Sequence, residues 1–382
     1  MYISKFVAPE IIFGSGSINQ VGECCYRLGA SRIFLVADRG VIKFGWVEKC
    51  LPYINELNLD YRIWSDFSAN PKDFEIEAGA ALYLQQQCDA VLAIGGGSAI
   101  DAAKAVAILA TNGGRIQDYE GIDLIQKPLP PLIVLPSTAG SGAEVSQFSI
   151  IADSERNIKM TIVSKSLVPD IAISDPLILS TVNSRVTATT GMEALSHAIE
   201  AYLSLAATDL TDVHALHSIK LIANHLRASV ASQVNEDAKV AMAKASLQAG
   251  IALSNAVLGL THAMTHQVGG LLDLPIGEIS AVLLPHVMRF NMISSFEKFG
   301  AIAEAMGANT SKLSARDAAK QAIEKVQELA GDVGIPSGLS ALGLPKEVIP
   351  ELSKNAINDA CYITNPRDVD VDGIVSIFYQ AL

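Results

Sequence analysis

The sequence predicts an α/β domain followed by an all-helical domain, and three observations support this fold class. With 382 residues, the chain is long for a single hydrophobic core. Short β-branched runs alternate with helical patterns in the first half, as in a doubly wound parallel sheet. From about residue 174 onward the pattern is almost entirely helical. We therefore expect an α/β domain over residues 1–182 and a helical domain over residues 183–382.

The α/β domain is predicted from apolar, β-branched runs that are bounded by turn residues. Four of these runs are expected to be buried parallel strands: residues 32–38, 59–67, 89–98 and 129–138. Helical patterns fill the intervals: residues 41–57, 71–87 and 99–111. Two later runs, residues 146–153 and 158–164, are separated by the polar segment SERN and predict a hairpin.

The composition limits the classes of partner. Half of the residues are hydrophobic and 18% are charged, which favours a globular chain over a disordered one. The formal net charge of −12 argues against nucleic acid or an anionic membrane as a partner. The stretch between Lys244 and Asp273 carries no other acidic or basic residue apart from histidine, but it contains many polar residues. We interpret it as a buried helical region rather than a membrane span.

The amino terminus and the cysteines indicate a cytoplasmic protein. The first residues lack the basic, apolar and small-residue segments of a secretory signal. The five cysteines are odd in number and show no paired spacing. We therefore expect reduced thiols in the core, with a catalytic thiol as the less supported alternative.

The segment GGGSAIDAAK, residues 95–104, lies where a predicted strand meets a helix. Glycines let backbone amides approach a phosphate, and a helix amino terminus supplies unpaired N–H groups and a positive dipole. Ser98 can add a hydroxyl, and Asp101 and Lys104 lie in the first turns of the helix. The pattern favours a nucleotide site over a turn that needs glycine for geometry alone, although it is not a G-x-G-x-x-G fingerprint.

Two further features lie where strands end. The small-residue loop STAGSGAEVS, residues 137–146, follows the fourth predicted strand, and open α/β sheets bind ligands at the carboxyl ends of their strands. Asp38 also ends a strand. A carboxylate there suits the ribose hydroxyls of NAD and repels the 2′-phosphate of NADP, so it predicts a preference for NAD. A helix-capping aspartate is the alternative.

Two pairs of residues in the helical half are four positions apart and therefore lie on one helix face each. GMEALSHAIEAY contains Glu193 and His197, and THAMTHQ contains His262 and His266. If the two helices face each other, these groups can form a cage for a divalent transition metal. Buried carboxylates and imidazoles need partners, so their presence in apolar helices supports this interpretation.

Six motifs occur along the chain in this order: GGGSAIDAAK, STAGSGAEVS, GMEALSHAIEAY, THAMTHQVGG, LLPHVMRFN and NPR. With them the chain resembles the iron-containing alcohol dehydrogenases over essentially its whole length. The resemblance implies a dinucleotide-binding domain, an all-helical domain and an active site in the cleft between them. It implies hydride transfer between a small alcohol or aldehyde and NAD(P), with a divalent metal, Fe or Zn, polarising the oxygen. A homodimer or higher homo-oligomer is also implied.

The resemblance assigns roles to residues by their position in the motifs. Nine residues would contact the cofactor or belong to its motifs: Asp38 at the adenosine ribose, Gly95, Gly96, Gly97 and Ser98 at the pyrophosphate, Asp101 and Lys104 in the same motif, and Thr138 and Ser141 at the nicotinamide and phosphate region. His266 matches a histidine near the nicotinamide, which makes it the candidate for carrying a proton toward solvent.

The metal pattern of the family is altered in this chain. That pattern is an aspartate, a histidine four residues later, the first histidine of H-A-M-x-H, and a histidine in Pro-His-Gly. His197 and His262 match the second and third positions, but the first is Glu193 and the fourth is Ile276. Isoleucine has no lone pair, so at most Glu193, His197 and His262 remain as ligands, with His266 as a possible substitute. Three protein ligands still hold a catalytic metal in other enzymes.

Three functions are compatible with the sequence. The first is an NAD-dependent alcohol dehydrogenase or aldehyde reductase with an altered metal site. The second is a metal-independent reductase, like the related maleylacetate reductases, in which His197, His262 or His266 polarises the carbonyl by hydrogen bonding. The third is a catalytically inactive NAD-binding sensor or assembly protein, for which Ile276 is the only support.

Overall fold

A computed structural model describes residues 5–382 of the chain. The chain forms two compact units, and the first unit ends at Val182 while the second begins at Asn183. The short segment 139–141 belongs to the second unit although it lies within the first half of the sequence.

The first unit is built on strands and short helices. Its strands are β1 (Glu10–Phe13), β2 (Arg32–Ala37), β3 (Asp60–Trp64), β4 (Ala90–Gly95), β5 (Gly121–Ile122), β6 (Leu132–Pro136), β7 (Phe148–Asp153), β8 (Ile158–Val163) and β9 (Ile171–Ser174). Its α-helices are α1 (Val21–Arg27), α2 (Arg39–Lys43), α3 (Trp46–Glu56), α4 (Asp73–Gln85) and α5 (Gly97–Asn112).

Six of these strands form a parallel sheet in the order β1-β9-β6-β4-β2-β3, which confirms the predicted parallel α/β fold. The strongly apolar runs become the central strands β2, β4 and β6, because a parallel sheet covered on both faces buries both sides of each strand. Their registers bring Ala37, Gly95 and Pro136 to the same edge. The loops that are predicted to bind the ligand therefore start at one edge of the sheet.

The structure differs from the predicted elements in two places. The sequence predicts four strands for this sheet, whereas β1 and β9, with four residues each, complete it at one side. The predicted helix over residues 41–57 is two helices, α2 and α3. Gly45 separates them with a φ of 76°, a left-handed conformation that glycine adopts without steric strain. The predicted hairpin is confirmed, since β7 and β8 pair antiparallel.

The second unit is helical, as predicted. Its α-helices are α6 (Ser184–Leu203), α7 (Asp209–Ala231), α8 (Glu236–Ala256), α9 (Leu260–Leu272), α10 (Ile276–Asn291), α11 (Phe296–Ala305), α12 (Ala315–Asp332), α13 (Ile349–Ala356) and α14 (Val371–Gln380). Helix α9 buries Leu260, Met264 and Val268 in a core shared with α10, α13 and α14. This spacing of four residues places His262 and His266 on a different face of the same helix.

The helices and cysteines agree with the composition. Between residues 5 and 382, no helix has the combined length and apolarity that crossing a bilayer requires. All five cysteines are buried and unpaired. Burial raises the pKa of Cys25 and of Cys50 to about 12, so both thiols stay protonated near neutral pH.

The close contact between α1 and α3 gives a stability prediction. A Cβ added at Gly22 would lie 2.0 Å from the backbone oxygen of Tyr53, so Gly22→Ala forces the two helices apart. We expect the free energy of unfolding to fall by about 1–3 kcal/mol, as in other overpacked sites, and urea unfolding followed by circular dichroism measures this change.

Gly331→Ala is the matched control, because Gly331 is an exposed helical glycine with no atom within 4 Å of an added Cβ. It should stabilise the protein by about 0.5–1 kcal/mol. Equal effects of the two substitutions would contradict the predicted contact.

Candidate active site

The glycine loop between β4 and α5 is tightly enclosed. A Cβ at Gly95 would lie 2.5 Å from the Cβ of Ala99 and 2.6 Å from Oδ2 of Asp38. A Cβ at Gly96 would lie 3.2 Å from Oγ1 of Thr138. Gly96 is the N-cap of α5 without a capping side chain, and Gly97 is the first helical residue. The first amides of α5 are therefore not used by a cap of their own and can bind an anion.

Asp38 takes the capping role that the sequence leaves open, and it also lies beside the glycine loop. Its Oδ1 accepts a hydrogen bond of 2.9 Å from the Val41 amide and so caps α2. Its Oδ2 lies against Gly95 in the glycine loop. The carboxylate is thus held rigidly at the sheet edge beside this loop, and the contact with an adenosine ribose stays a prediction.

Ser98 and Asp101 have contacts within the first unit. The Ser98 hydroxyl donates to the backbone oxygen of Ala69, which ties the start of α5 to the segment before α4. The backbone oxygen of Asp101 accepts a hydrogen bond from the hydroxyl of Ser149, on β7. Both residues therefore help to fix the position of the glycine loop.

The structure places Lys104 differently from the prediction. Its side chain is completely buried, and its Nζ donates to the backbone oxygens of Ala143, Ser146 and Phe148 at 2.7–2.9 Å. Burial lowers the pKa of Lys104 to about 8 and raises that of the neighbouring Glu144 to about 7. The ammonium group ties α5 to the last part of the second small-residue loop and to the start of β7, so its hydrogen bonds are used within the first unit.

Thr138 and Ser141 belong to different compact units. Thr138 lies in the first unit, beside Gly96. Ser141 lies in the segment 139–141, which packs in the second unit. A Cβ at Gly140 would lie 2.5 Å from the Cβ of Thr190, so glycine allows this segment to touch α6.

The second unit brings three histidines together, and each is anchored through Nδ1. The hydrogen bonds are His262 to Oε2 of Glu200 at 2.5 Å, His266 to Oδ2 of Asp359 at 2.9 Å, and His197 to the backbone oxygen of Gly140 at 3.3 Å. Carboxylate and carbonyl oxygens only accept hydrogen bonds, so each Nδ1 carries the proton. In the neutral ring, each Nε2 then presents a lone pair.

His262 is the central member of this group. Its ring stacks on that of His197 with centroids 4.7 Å apart, and the ring of His266 lies edge-on at 6.2 Å. Its side chain is 1% exposed, and its buried Nε2 has no hydrogen-bond partner. Buried polar groups are rarely left unpaired, so this atom is a candidate contact for a bound ligand. Burial and the nearby His262 ring hold the pKa of His197 well below 6.5, which keeps that ring neutral.

Glu200 orients His262. Besides Nδ1, it accepts hydrogen bonds from the backbone amides of Gly259 and Thr261, at the start of α9. Burial opposes ionisation, but the hydrogen bond from His262 and the contacts of Thr261 hold the pKa of Glu200 below its ordinary value. An ionised carboxylate at the positive end of a helix is electrostatically favourable. The result is a fixed tautomer and a fixed ring orientation for His262.

Glu200 and Asp359, the carboxylates that anchor His262 and His266, are not among the site residues predicted from the sequence. Glu200 had one usable signal, because it is a carboxylate within the apolar run ALSHAIEAYL and so requires a buried partner. Asp359 had none, since it lies in a loop 93 residues from His266 and meets it only in the folded chain.

Of the three predicted metal ligands, His197 and His262 lie ring against ring, but Glu193 does not complete a group of three donors with them. Within residues 5–382, three His, Cys, Asp or Glu donor atoms come within 4.8 Å of one another only at His266, Asp359 and Cys361. Glu193, His197 and His262 form no such group, and Ile276 adds no donor. The residues present therefore do not fit the four-ligand metal of the resembled family. Whether a metal binds stays a prediction to be tested.

Comparison with known proteins covers nearly the whole chain. Residues 8–176 match the family described as iron-containing alcohol dehydrogenase, and residues 187–382 match the family described as Fe-containing alcohol dehydrogenase family, C-terminal. The chain is 42% identical over 379 residues to a 1,3-propanediol dehydrogenase of Klebsiella pneumoniae, covering 98% of each chain. It is 39% identical over 377 residues to an NAD-dependent methanol dehydrogenase of Bacillus methanolicus, covering 99% of each.

A solved structure shows the same fold. The crystal structure of a 1,3-propanediol oxidoreductase superposes with a TM-score of 0.97 over 100% of both chains, at 41% sequence identity. The strands, helices and loops described above therefore have counterparts throughout that protein.

The carboxylate beside the glycine loop predicts cofactor selectivity. In Asp38→Asn the amide still caps α2, but the negative charge that repels a 2′-phosphate is lost. We expect kcat/KM for NADP relative to NAD to rise at least about tenfold, or about 1.4 kcal/mol. Asp60→Asn, at the amino end of β3 and exposed, is the control and should leave the ratio unchanged. An unchanged ratio in Asp38→Asn would remove Asp38 from the ribose site.

The buried ammonium group predicts an indirect effect on cofactor binding. Lys104→Met leaves three buried carbonyl oxygens without their donor, at about 1–3 kcal/mol each. We expect a lower unfolding midpoint together with a higher KM for NAD, because the loop is no longer tied to α5. Lys127→Met, at an exposed lysine of the same unit, should change neither quantity. A higher KM at unchanged stability would instead indicate direct contact of Lys104 with the cofactor.

Proposed function

Because the chain belongs to the iron-containing alcohol dehydrogenase family, we propose that it is an NAD-dependent alcohol dehydrogenase and aldehyde reductase acting on small substrates. The glycine loop at the start of α5 supplies the phosphate-binding amides, and Asp38 supplies the preference for NAD. The observation that carries the catalytic part of this proposal is the buried, unpartnered Nε2 of His262, held in one tautomer by Glu200.

When bound, the nicotinamide would accept the hydride of the alcohol carbon or return it to the aldehyde carbon, and the histidines hold and move the proton. In alcohol oxidation, Nε2 of His262 accepts the hydrogen bond of the substrate hydroxyl and takes its proton. In aldehyde reduction, the same atom returns the proton to the oxygen. Glu200 stabilises the positive charge on the ring, as a buried carboxylate does in other histidine-based sites.

His266 is the next proton carrier. Its ring lies edge-on to that of His262, and its Nδ1 is anchored by Asp359. Burial opposes ionisation of Asp359, but the charge and hydrogen bond of His266 and the hydrogen bonds from Cys361 hold its pKa below the ordinary value. The carboxylate therefore keeps His266 oriented while a proton passes toward solvent.

The names of the relatives suggest the substrates to test. They include a 1,3-propanediol dehydrogenase, a methanol dehydrogenase and a lactaldehyde reductase, so short alcohols and the matching aldehydes form the first panel. We propose that this chain works in the cytoplasm as a homo-oligomer, and its five unpaired buried cysteines support the reducing compartment.

The inactive-sensor alternative is less well supported. A protein that only senses NAD has no need for a dehydrated histidine fixed by a buried carboxylate, an arrangement that burial makes energetically expensive. Oxidation or formation of NADH with any member of the panel would exclude this alternative. Cofactor binding without turnover of any substrate would favour it over the dehydrogenase.

The orientation of His262 predicts the effect of one substitution. In Glu200→Gln the amide can donate to Nδ1, which favours the tautomer with a proton on Nε2 and removes the stabilising charge. We expect kcat to fall at least about 100-fold, while the Kd for NADH stays unchanged because Glu200 lies in the second unit. Steady-state kinetics and NADH fluorescence titration measure the two effects.

Glu278→Gln is the matched control. Glu278 is as buried as Glu200 and lies in the same unit, but its partner is the exposed Arg185. Its removal should alter kcat by less than about tenfold. Equal losses of kcat in both variants would indicate a general structural effect and contradict the role of Glu200.

A further inference from the structure

We propose that this chain works without a bound divalent ion, and that Glu193 and Ile276 together close the place that an ion would occupy. The substrate oxygen then binds directly to Nε2 of His262. The inference rests on the proposed function and specifies which group polarises the substrate. Three features of the second unit support it: a missing donor, a redirected carboxylate and two remaining imidazoles.

The missing donor is at the start of α10. Ile276 is the first residue of this helix and is half-buried, so an aliphatic side chain stands where the resembled pattern has an imidazole. A carbon side chain donates no electron pair to a metal. The metal pattern therefore loses a donor at this point.

The redirected carboxylate is that of Glu193, which lies beside α10. A Cβ at Gly277 would lie 3.0 Å from Oε2 of Glu193 and 2.5 Å from the backbone oxygen of Thr189. The carboxylate thus lies against the first turn of α10, whose N-cap, Pro275, offers no capping side chain. The positive end of that helix compensates a carboxylate, as a metal ion would elsewhere.

The two changes therefore belong together. The extra methylene of glutamate, compared with aspartate, extends the carboxylate along α6 toward α10, at the point where the imidazole is missing. Consistent with this direction, Glu193 does not gather with His197 and His262 into a group of donors. Reverting only one of the two positions should accordingly restore less metal binding than reverting both.

Two imidazoles of the predicted metal site remain. His197 and His262 offer two nitrogen donors, whereas catalytic zinc sites use three protein ligands. Two stacked imidazoles fixed through Nδ1 are instead suited to hydrogen bonding with a substrate hydroxyl through Nε2, in a site closed to solvent. The cluster His266, Asp359 and Cys361 does not replace the cage. The carboxylate of Asp359 is already used, since it accepts hydrogen bonds from Nδ1 of His266 and from the backbone amide of Cys361.

The test is the metal content of the whole protein. Wild type, Glu193→Asp, Ile276→His and the double variant are produced with Fe²⁺ and Zn²⁺ supplied, freed of loose ions by gel filtration and analysed by mass spectrometry of the elements. We expect the wild type to hold far less than one ion per chain and the double variant to approach one. Added Zn²⁺ should raise the unfolding midpoint of the double variant and not that of the wild type.

Glu193→Asp combined with Ile293→His is the matched control. Ile293 is exposed on a separate helical turn, so this variant carries the same side chains outside the cage and should bind no ion. If the double variant does not fold, Ile276→His alone with the Zn²⁺ titration still decides whether position 276 limits binding.

The outcomes separate the inference from the function. One ion per wild-type chain, lost in His262→Ala or in Cys361→Ala, would overturn the inference while leaving the dehydrogenase proposal intact. A metal-free wild type with a double variant that folds but also stays metal-free would refute the role of Glu193 and Ile276. A metal-free wild type that turns over no alcohol or aldehyde would refute the proposed function. A metal-free enzyme that is active in the presence of chelator, beside a metal-binding double variant, is the expected result.

Discussion

The hydrogen bond between Nδ1 of His262 and Glu200 is the interaction on which the candidate site depends. It joins α6 to the start of α9, two elements 62 residues apart, and it is nearly closed to solvent. The carboxylate is held in turn by two backbone amides at the positive end of α9. Because Nδ1 of His262 and the carboxylate of Glu200 are buried and paired, the unpartnered Nε2 on the other side of the His262 ring has a defined direction.

The nucleotide side follows the same principle of fixed groups around an open position. Asp38, Thr138 and the Ser98 contact hold the glycine loop, and the loop leaves the first amides of α5 without a capping side chain. Lys104 contributes from inside, through the carbonyl oxygens of Ala143 and Ser146 in the second loop and of Phe148 at the start of β7. A buried ammonium group is stable there only because it is fully hydrogen-bonded. The loops that would contact NAD are therefore held by contacts within the first unit.

Local patterns predicted what is local in the structure. The strand, glycine turn and helix around Gly95 follow from composition and spacing, and the histidine pair of α9 follows from the four-residue period. The partners of these histidines could not be predicted in the same way, because Glu200 and Asp359 reach them only through tertiary packing. Lys104 shows the opposite case: its motif suggested a cofactor contact, but packing of α5 against the sheet buries the ammonium group. Ile276 is visible in the sequence, whereas the direction of the Glu193 side chain depends on how α6 packs against α10.

In the proposed mechanism, His262 is oriented by Glu200 and contacts the substrate oxygen without an intervening ion. A crystal structure of the protein with NADH and an unreactive aldehyde analogue, with anomalous data collected at the iron and zinc edges, tests it most directly. We expect the analogue oxygen to lie about 3 Å from Nε2 of His262, with no anomalous peak between the two atoms. An anomalous peak bonded to both Nε2 of His262 and the analogue oxygen would contradict it.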